Sequence, residues 1–218
     1  MTKTNDTMAL DEAIATLRSM RRLKPDPVPE ADLHAIVESA TRAPSGGNIQ
    51  NWSFIVVTEA KQRQRMGVVY SEVGAEYMAQ FFAGEDDVEE MDPQQRKMYE
   101  SSRHLIEHMS EAPAMIAACM RGRFPGKPES ASAFYGSIYP AVQNMLLTAR
   151  SRGLGTTLTT LHSHRQEAVQ EILCLPENVH VICVIPVGYP EGNWGTPRRR
   201  PAAEVTHWNR WGNQRAEG

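Results

Sequence analysis

Ala43-Pro44-Ser45-Gly46-Gly47-Asn48-Ile49-Gln50-Asn51-Trp52-Ser53-Phe54-Ile55-Val56-Val57 joins an irregular, small-residue loop to a continuously apolar segment. Gly46 and Gly47 tolerate φ > 0 and let backbone approach a neighbour closely, while Asn48 and Gln50 each carry both donors and acceptors. Trp52 to Val57 is apolar enough to anchor what precedes it, and Phe54 to Thr58 reads as a buried strand, too short and too continuously apolar for a surface helix. A Ser-Gly-Gly stretch alone would be an ordinary turn. Two amides placed beside it, on a rigid anchor, suit a loop that lays backbone against a flat ligand.

Working outward, Met8 to Met20 places Leu10, Ile14 and Leu17 at helical spacing, and Leu33, Ile36, Val37 and Ala40 repeat the pattern after Pro29-Glu30. Alternate prolines from Pro25 to Pro29 keep the intervening segment extended. Ala114 to Met120 and Val179 to Val187 read as buried strands, with a further strand around Leu154 to Thr160. Tyr139 to Arg152 reads as a core helix carrying Pro140 in its first turn and ending at Gly153, and a shorter helix is expected from about His164 to Leu173. Strands that alternate with helices point to an α+β, three-layer domain.

The chain has 218 residues, 41% of them hydrophobic, which is enough for one domain with a real core. A formal net charge of -3 gives no reason to expect nucleic acid or an anionic membrane as partner. Cys119, Cys174 and Cys183 are odd in number and sit among apolar residues, which suits reduced thiols packed as small hydrophobes. Met1 to Leu10 lacks the apolar stretch of a leader, and no apolar run approaches spanning length, so a cytoplasmic location is expected.

Two stretches stand apart. Glu72 to His108 carries the acidic run Glu85-Asp86-Asp87-Val88-Glu89-Glu90 and is expected to be a solvated excursion (residues 72–110) over the domain. Residues 191–218 hold Trp194, Trp208 and Trp211 with no room for a core of their own. Tryptophans that one subunit cannot bury imply an interface, and an arm wrapped around a second copy of the chain accounts for them. No internal repeat or linker divides residues 1–218, which are taken as a single domain.

The candidate chemistry begins with positive charge. Arg18-Ser19-Met20-Arg21-Arg22 closes the first helix, and Arg198-Arg199-Arg200 precedes Pro201. Arginine presents a planar fork matched to phosphate oxygens, and a serine hydroxyl adds a neutral donor. Either cluster alone is commonly solvated surface charge. His104-Leu105-Ile106-Glu107-His108 fits H-x-x-E-H, which on a helix puts two imidazoles on one face as a zinc site requires, but a third ligand has no support and chance explains the pattern in a polar helix. No metal is expected. There is no G-x-G-x-x-G after a strand, and Gly122 to Pro128 is no P-loop because proline follows Lys127.

The Pro44 to Trp52 loop resembles the A-P-S-x-x-N-x-Q-P-W-x-F signature of the nitroreductase family of FMN-dependent oxidoreductases, with Asn51 standing where that family has proline. Arg18-Ser19-Met20-Arg21 resembles its R-R-S-x-R segment, with Leu17 in place of the first arginine and Arg22 available to compensate. Arg199-Arg200-Pro201 is similar to its R-x-P element. Gly153 to Thr160 resembles the stretch that passes over one face of the isoalloxazine, and Val187-Gly188-Tyr189-Pro190 matches a final strand and G-Y-P turn. The similarity spans Met8 to about Val205.

This resemblance implies a nitroreductase-like three-layer α-β-α fold with a mixed, mainly antiparallel central sheet. It also implies a homodimer in which C-terminal arms are exchanged and FMN lies at the subunit interface. The cofactor residues it implies are Arg18, Ser19, Arg21, Arg22 and Arg199 toward the phosphate, Pro44, Ser45, Gly46, Asn48 and Gln50 in the loop, and Thr159 and Thr160 near the flavin. No side chain acts as nucleophile. NADH or NADPH would donate hydride transiently, and a nitroaromatic, quinone or related conjugated molecule would then take the electrons in the same cleft. Within the family, Thr159-Thr160 and Pro25 to Pro29 resemble the deiodinase-related branch, so reductive dehalogenation or ene reduction are alternatives. A protein that holds FMN without turnover would share every contact. Tyr77, Phe81, Phe82 and Tyr99 of the excursion are candidates to cover a substrate and equally to be packing residues.

Overall fold

A computed structural model describes residues 8–81, 88 and 91–215. Phe82 and the acidic run from Glu85 to Glu90, Val88 apart, lie outside them. The helices are α1 (Leu10–Thr16), α2 (Glu30–Ala40), α3 (Ala60–Phe81), α4 (Pro93–His108), α5 (Pro128–Ser151), α6 (Gln166–Ile172) and α7 (Ala202–Val205), and the strands are β1 (Trp52–Val57), β2 (Ala114–Arg121), β3 (Gly155–Thr156) and β4 (Val179–Gly188). The sheet order is β1-β2-β4-β3 and every pairing in it is antiparallel.

The layers follow from the parity of β2. Ala114, Ile116, Ala118 and Met120 face one core with Leu33 and Ile36 of α2 and Ile138, Val142 and Met145 of α5. Met115, Ala117 and Cys119 face the other, with Met66, Val69 and Tyr70 of α3, Leu105 of α4 and Val169 and Ile172 of α6. Both faces of the strand are covered, which explains its unbroken apolar sequence. Each large side chain removed from water here contributes roughly 1.5–3 kcal/mol. The register between β2 and β4 shifts between Ala118 and Cys119. In β4, Ile182 and Cys183 therefore both belong to the first core while Val181 and Val184 belong to the second, as an inserted residue at a bulge requires.

Three expectations are revised. The long core helix begins at Pro128, so Pro140 lies in its interior; the proline lacks only the N–H that would have bonded Gly136, and the buried contacts of Ile138, Ala141 and Val142 hold the helix through that point. Residues 72–108 are not simply a solvated excursion. Val73, Tyr99, Leu105 and Ile106 are buried, and α3 meets α4 at Gly74, where a Cβ would lie 2.2 Å from Ile106 Cγ2. The segment Arg18 to Arg22 does not close a helix either: α1 stops at Thr16, and the chain runs on beside the sheet, with the Met20 N–H donating to Thr156 O at 2.9 Å and the Lys24 N–H to Tyr189 O at 2.8 Å. Of the cysteines, Cys119 and Cys183 are buried and Cys174 is exposed; burial pushes the two buried thiols up to about 12, so they stay protonated.

Candidate functional site

The path of residues 18–24 builds the site. It crosses β3 so closely that a Cβ on Gly155 would stand 2.8 Å from Met20 Cβ and 2.9 Å from Leu23 Cδ2. Met20 is buried there, and the residues beside it are turned toward two cavities. The first, about 270 Å³, is lined by Arg18, Ser19, Arg199, Gln143, Thr156, Thr157 and Leu158 together with Ile14, Leu17 and Leu146. The second, about 190 Å³, is lined by Arg21, Tyr77, Ser102, Leu105, Ile106 and Thr157 to Leu161. Thr157 and Leu158 wall both, so the two are neighbours along one strap of chain. Leu158 is exposed and offers that strap an apolar surface.

The structure thus brings Arg18, Ser19 and Arg199 together from opposite ends of the chain, and sets Arg21, Thr159 and Thr160 in the adjoining cavity. Burial lowers the proton affinity of Arg21, with Arg18 adding to the effect and Tyr77 opposing it. An arginine side chain keeps its charge at neutral pH, so this is a cation poorly solvated by water and ready for an acceptor. Ile14 of α1 and Leu17 just beyond its end line the first cavity rather than the core. Sequence reasoning did not single out Gln143, Ser102 or Leu158. Gln143 flanks the apolar stripe of α5 and Ser102 that of α4, and nothing local distinguishes either from a solvated position.

Arg22 lies elsewhere. It is exposed and donates from Nη1 to His104 Nδ1 at 2.9 Å, so it lines neither cavity and does not stand in for the arginine replaced by Leu17. His104 stacks on His108 at 4.3 Å between ring centroids, and His108 Nδ1 lies 2.8 Å from Glu111 Oε1. Burial, then Arg22, then His108 hold the His104 pKa below its ordinary value, against opposing pulls from Glu191 and Glu111. The unfolded chain therefore binds protons more readily at this position than the folded one. Stability should be independent of the group above about pH 6.5 and should fall as pH drops through the depressed folded value. The urea midpoint of the wild type is expected to decline as pH is lowered below about 6.5, and His104→Gln, which retains an acceptor but does not titrate, to flatten the decline. An equally steep decline in both proteins would place the titration elsewhere, His162 being the next group with a lowered pKa.

The Pro44 to Gln50 loop is exposed over most of its length and lines neither arginine cavity of its own chain. Gly47, Asn48 and Gln50 all have left-handed backbone, with φ of 58°, 56° and 53°, at a cost on the order of 1 kcal/mol for a residue such as glutamine. Internal bonds offset it. The Gln50 N–H donates to Ser45 Oγ at 3.1 Å, Gln50 Nε2 donates to Asn48 Oδ1 at 3.0 Å, and the Gly46 N–H donates to Ser137 Oγ at 3.1 Å. Asn51 fastens the far end, its Nδ2 donating to Arg121 O at 3.0 Å while its carbonyl accepts from the Arg121 N–H at 2.8 Å. A proline at this position could keep only the second bond.

The tightness at Gly155 gives an expected result. Gly155→Ala should displace Met20 and Leu23 and with them the backbone that carries Arg18, Ser19 and Arg21. Overpacking of this kind costs about 1–3 kcal/mol. Thermal unfolding should report the loss, and anion or cofactor affinity should fall with it; an alanine variant as stable as the wild type would show that residues 18–24 shift without cost.

The Nitroreductase family model matches residues 14–189. The chain is similar to an NADH dehydrogenase of Thermus thermophilus, 28% identical over an alignment of 206 positions that covers 91% of this chain and 96% of that one. It is similar to a 4-nitrobenzoate reductase of Pseudomonas putida, 26% identical over 197 residues, 84% of this chain and 86% of that one. Among solved structures, NADPH:FMN oxidoreductase from Vibrio harveyi complexed with NAD+ superposes with a TM-score of 0.70, covering 94% of this chain and 79% of that chain at 20% identity, a likeness of fold.

Proposed function

The chain belongs to the Nitroreductase family, and from that premise we propose that it is an FMN-dependent oxidoreductase that takes electrons from NADH or NADPH and passes them to a small conjugated acceptor such as a nitroaromatic or a quinone. The observation that carries the reading is the meeting of Arg18, Ser19 and Arg199 around one cavity that continues, past Thr157 and Leu158, into a second holding Arg21. Two guanidinium forks and a hydroxyl fit a phosphate monoester. The apolar strap at Leu158 fits a planar ring, and Arg21 fits a ring edge where negative charge collects. The residues present therefore fit FMN.

FMN held there supplies hydride exchange between two substrates that bind in turn. The chain contributes the rest. Arg18, Ser19 and Arg199 would hold the phosphate, with residues 157–160 next along the strap to meet the ring. Arg21, already stripped of much of its water, would offer a fixed positive charge to the negative charge that reduction leaves on the ring. Tyr77, Ser102, Leu105 and Ile106 of α3 and α4 cover the second cavity and exclude water from the acceptor.

The reading takes the protein as a homodimer in which each loop of residues 44–50, with its left-handed backbone and exposed amides, reaches the cavity of the other copy. Support comes from the position of that loop away from its own chain's arginines and from the exposed Ile49, Phe124, Trp208 and Trp211. Anaerobic titration of the FMN-loaded protein with NADPH and NADH tests the function. Stoichiometric bleaching of the flavin bands is expected with at least one of them. Bands that persist with both would point to a protein that holds flavin without reducing it, and no bands after FMN addition would overturn the reading altogether.

A further inference from the structure

Tyr70 stands on α3, three turns into the helix, and its side chain is fully buried. Its hydroxyl is not there for packing, since a phenylalanine would fill the same volume without a polar atom to satisfy. The oxygen accepts a hydrogen bond from the Thr159 hydroxyl at 2.8 Å. Burial raises the Tyr70 pKa, so the group remains a neutral phenol. Thr159 is held from a second direction as well, because its N–H and carbonyl exchange 3.0 Å bonds with Val184 of β4. Beyond Thr159 lies the cavity lined by Arg21 and Tyr77.

We propose that Tyr70 is a positioning residue for the cofactor site, fixing through its buried hydroxyl the rotamer of Thr159 where that threonine meets the flavin. The inference rests on the functional reading above, which places Thr159 against FMN. The 2.8 Å bond ties the Thr159 hydroxyl to the phenol, so the side chain cannot turn freely where it lines the cavity. Removing the phenol oxygen breaks this bond and lets the Thr159 side chain turn, which alters both how the ring is held and the polar group it meets. Nothing else about the ring of Tyr70 need change.

The test compares Tyr70→Phe, Thr159→Val and the double variant as FMN-loaded proteins. The readouts are the FMN dissociation constant, the flavin absorbance maxima and midpoint potential, and thermal unfolding of the apoprotein. Tyr70→Phe should weaken FMN by about tenfold, the equivalent of one hydrogen bond, and shift the spectrum and potential. Thr159→Val should do the same, and the double variant should go no further than either single one, as residues acting as a unit do. Tyr70→Phe that destabilises the apoprotein but leaves affinity, spectrum and potential unchanged would reduce the hydroxyl to a structural bond and overturn the proposal. Additive effects would also overturn it, since Tyr70 would then act by a route other than Thr159. A wild type that binds no FMN would be the distinct failure, that of the functional reading itself.

Discussion

Replacing Arg18 and Arg199 together by alanine is expected to weaken FMN binding by about 10²–10⁴-fold, each charge-assisted contact contributing roughly 1.5–3 kcal/mol. The two arginines enter the same cavity from different segments, one just beyond α1 and the other from the tail. Because both would act on one phosphate, the single losses should depart from simple additivity. The apoprotein should be as stable as the wild type, because Arg199 is exposed and Arg18 only half-buried, and surface substitutions of this kind stay within about 0.5 kcal/mol. Added salt or inorganic phosphate should weaken FMN in the wild type and have little effect on the double variant. Fluorescence titration measures all of this directly. Wild-type affinity in the double variant would move the phosphate out of this cavity and remove the main support for the proposed function.

How much of this site could be read from the chain alone depended on the range of the determining contacts. Arg18, Ser19 and Arg21 are legible because they lie in one short segment, and the loop at Gly46 because small residues and amides cluster there. The buried strands are legible because both faces of β2 are covered, leaving no polar interruption. Arg22 misled because sequence spacing cannot say which neighbour a side chain turns toward, and here His104, distant in the chain, receives it. The start of α5 was hidden because Pro128 to Gly136 lacks an apolar repeat and Pro140 looks like a beginning. The packing of α3 on α4 was hidden for a different reason. Gly74 reads as a weak point in a charged helix until Ile106 is placed against it. Nor does anything in the sequence mark Tyr70 apart from the other apolar residues of α3; its hydroxyl acquires meaning only when β4 brings Thr159 within 2.8 Å.

Arg150→Met should lower both stability and FMN affinity, although Arg150 lines neither arginine cavity. The residue lies in the last turn of α5 and is only 6% exposed. Its guanidinium sits 4.2 Å from the centre of the Trp194 ring, and its Nε donates to Thr16 Oγ1 at 2.9 Å. Trp194, expected from sequence to be poorly buried on one subunit, is thus partly covered within it. Glu12 is at the edge of ion-pair range, 4.0 Å away and mostly exposed, and adds little. A desolvated cation over an indole contributes about 2 kcal/mol and the bond to Thr16 about 1–1.5 kcal/mol. Relief of the buried charge offsets part of this, leaving a net loss of about 1–3 kcal/mol and a fall in Tm of roughly 2–10 °C for a chain of this size. The consequence for function follows from where the two partners lie. Thr16 is the last residue of α1, directly before Leu17 and Arg18, and Trp194 opens the segment that leads to Arg199, so one side chain ties down both approaches to the phosphate. Arg150→Met should therefore weaken FMN in the otherwise wild-type protein, yet have no further effect once Arg18 and Arg199 are already alanine. If FMN affinity survives the methionine intact while Tm falls, the clamp stabilises the fold without positioning the arginines.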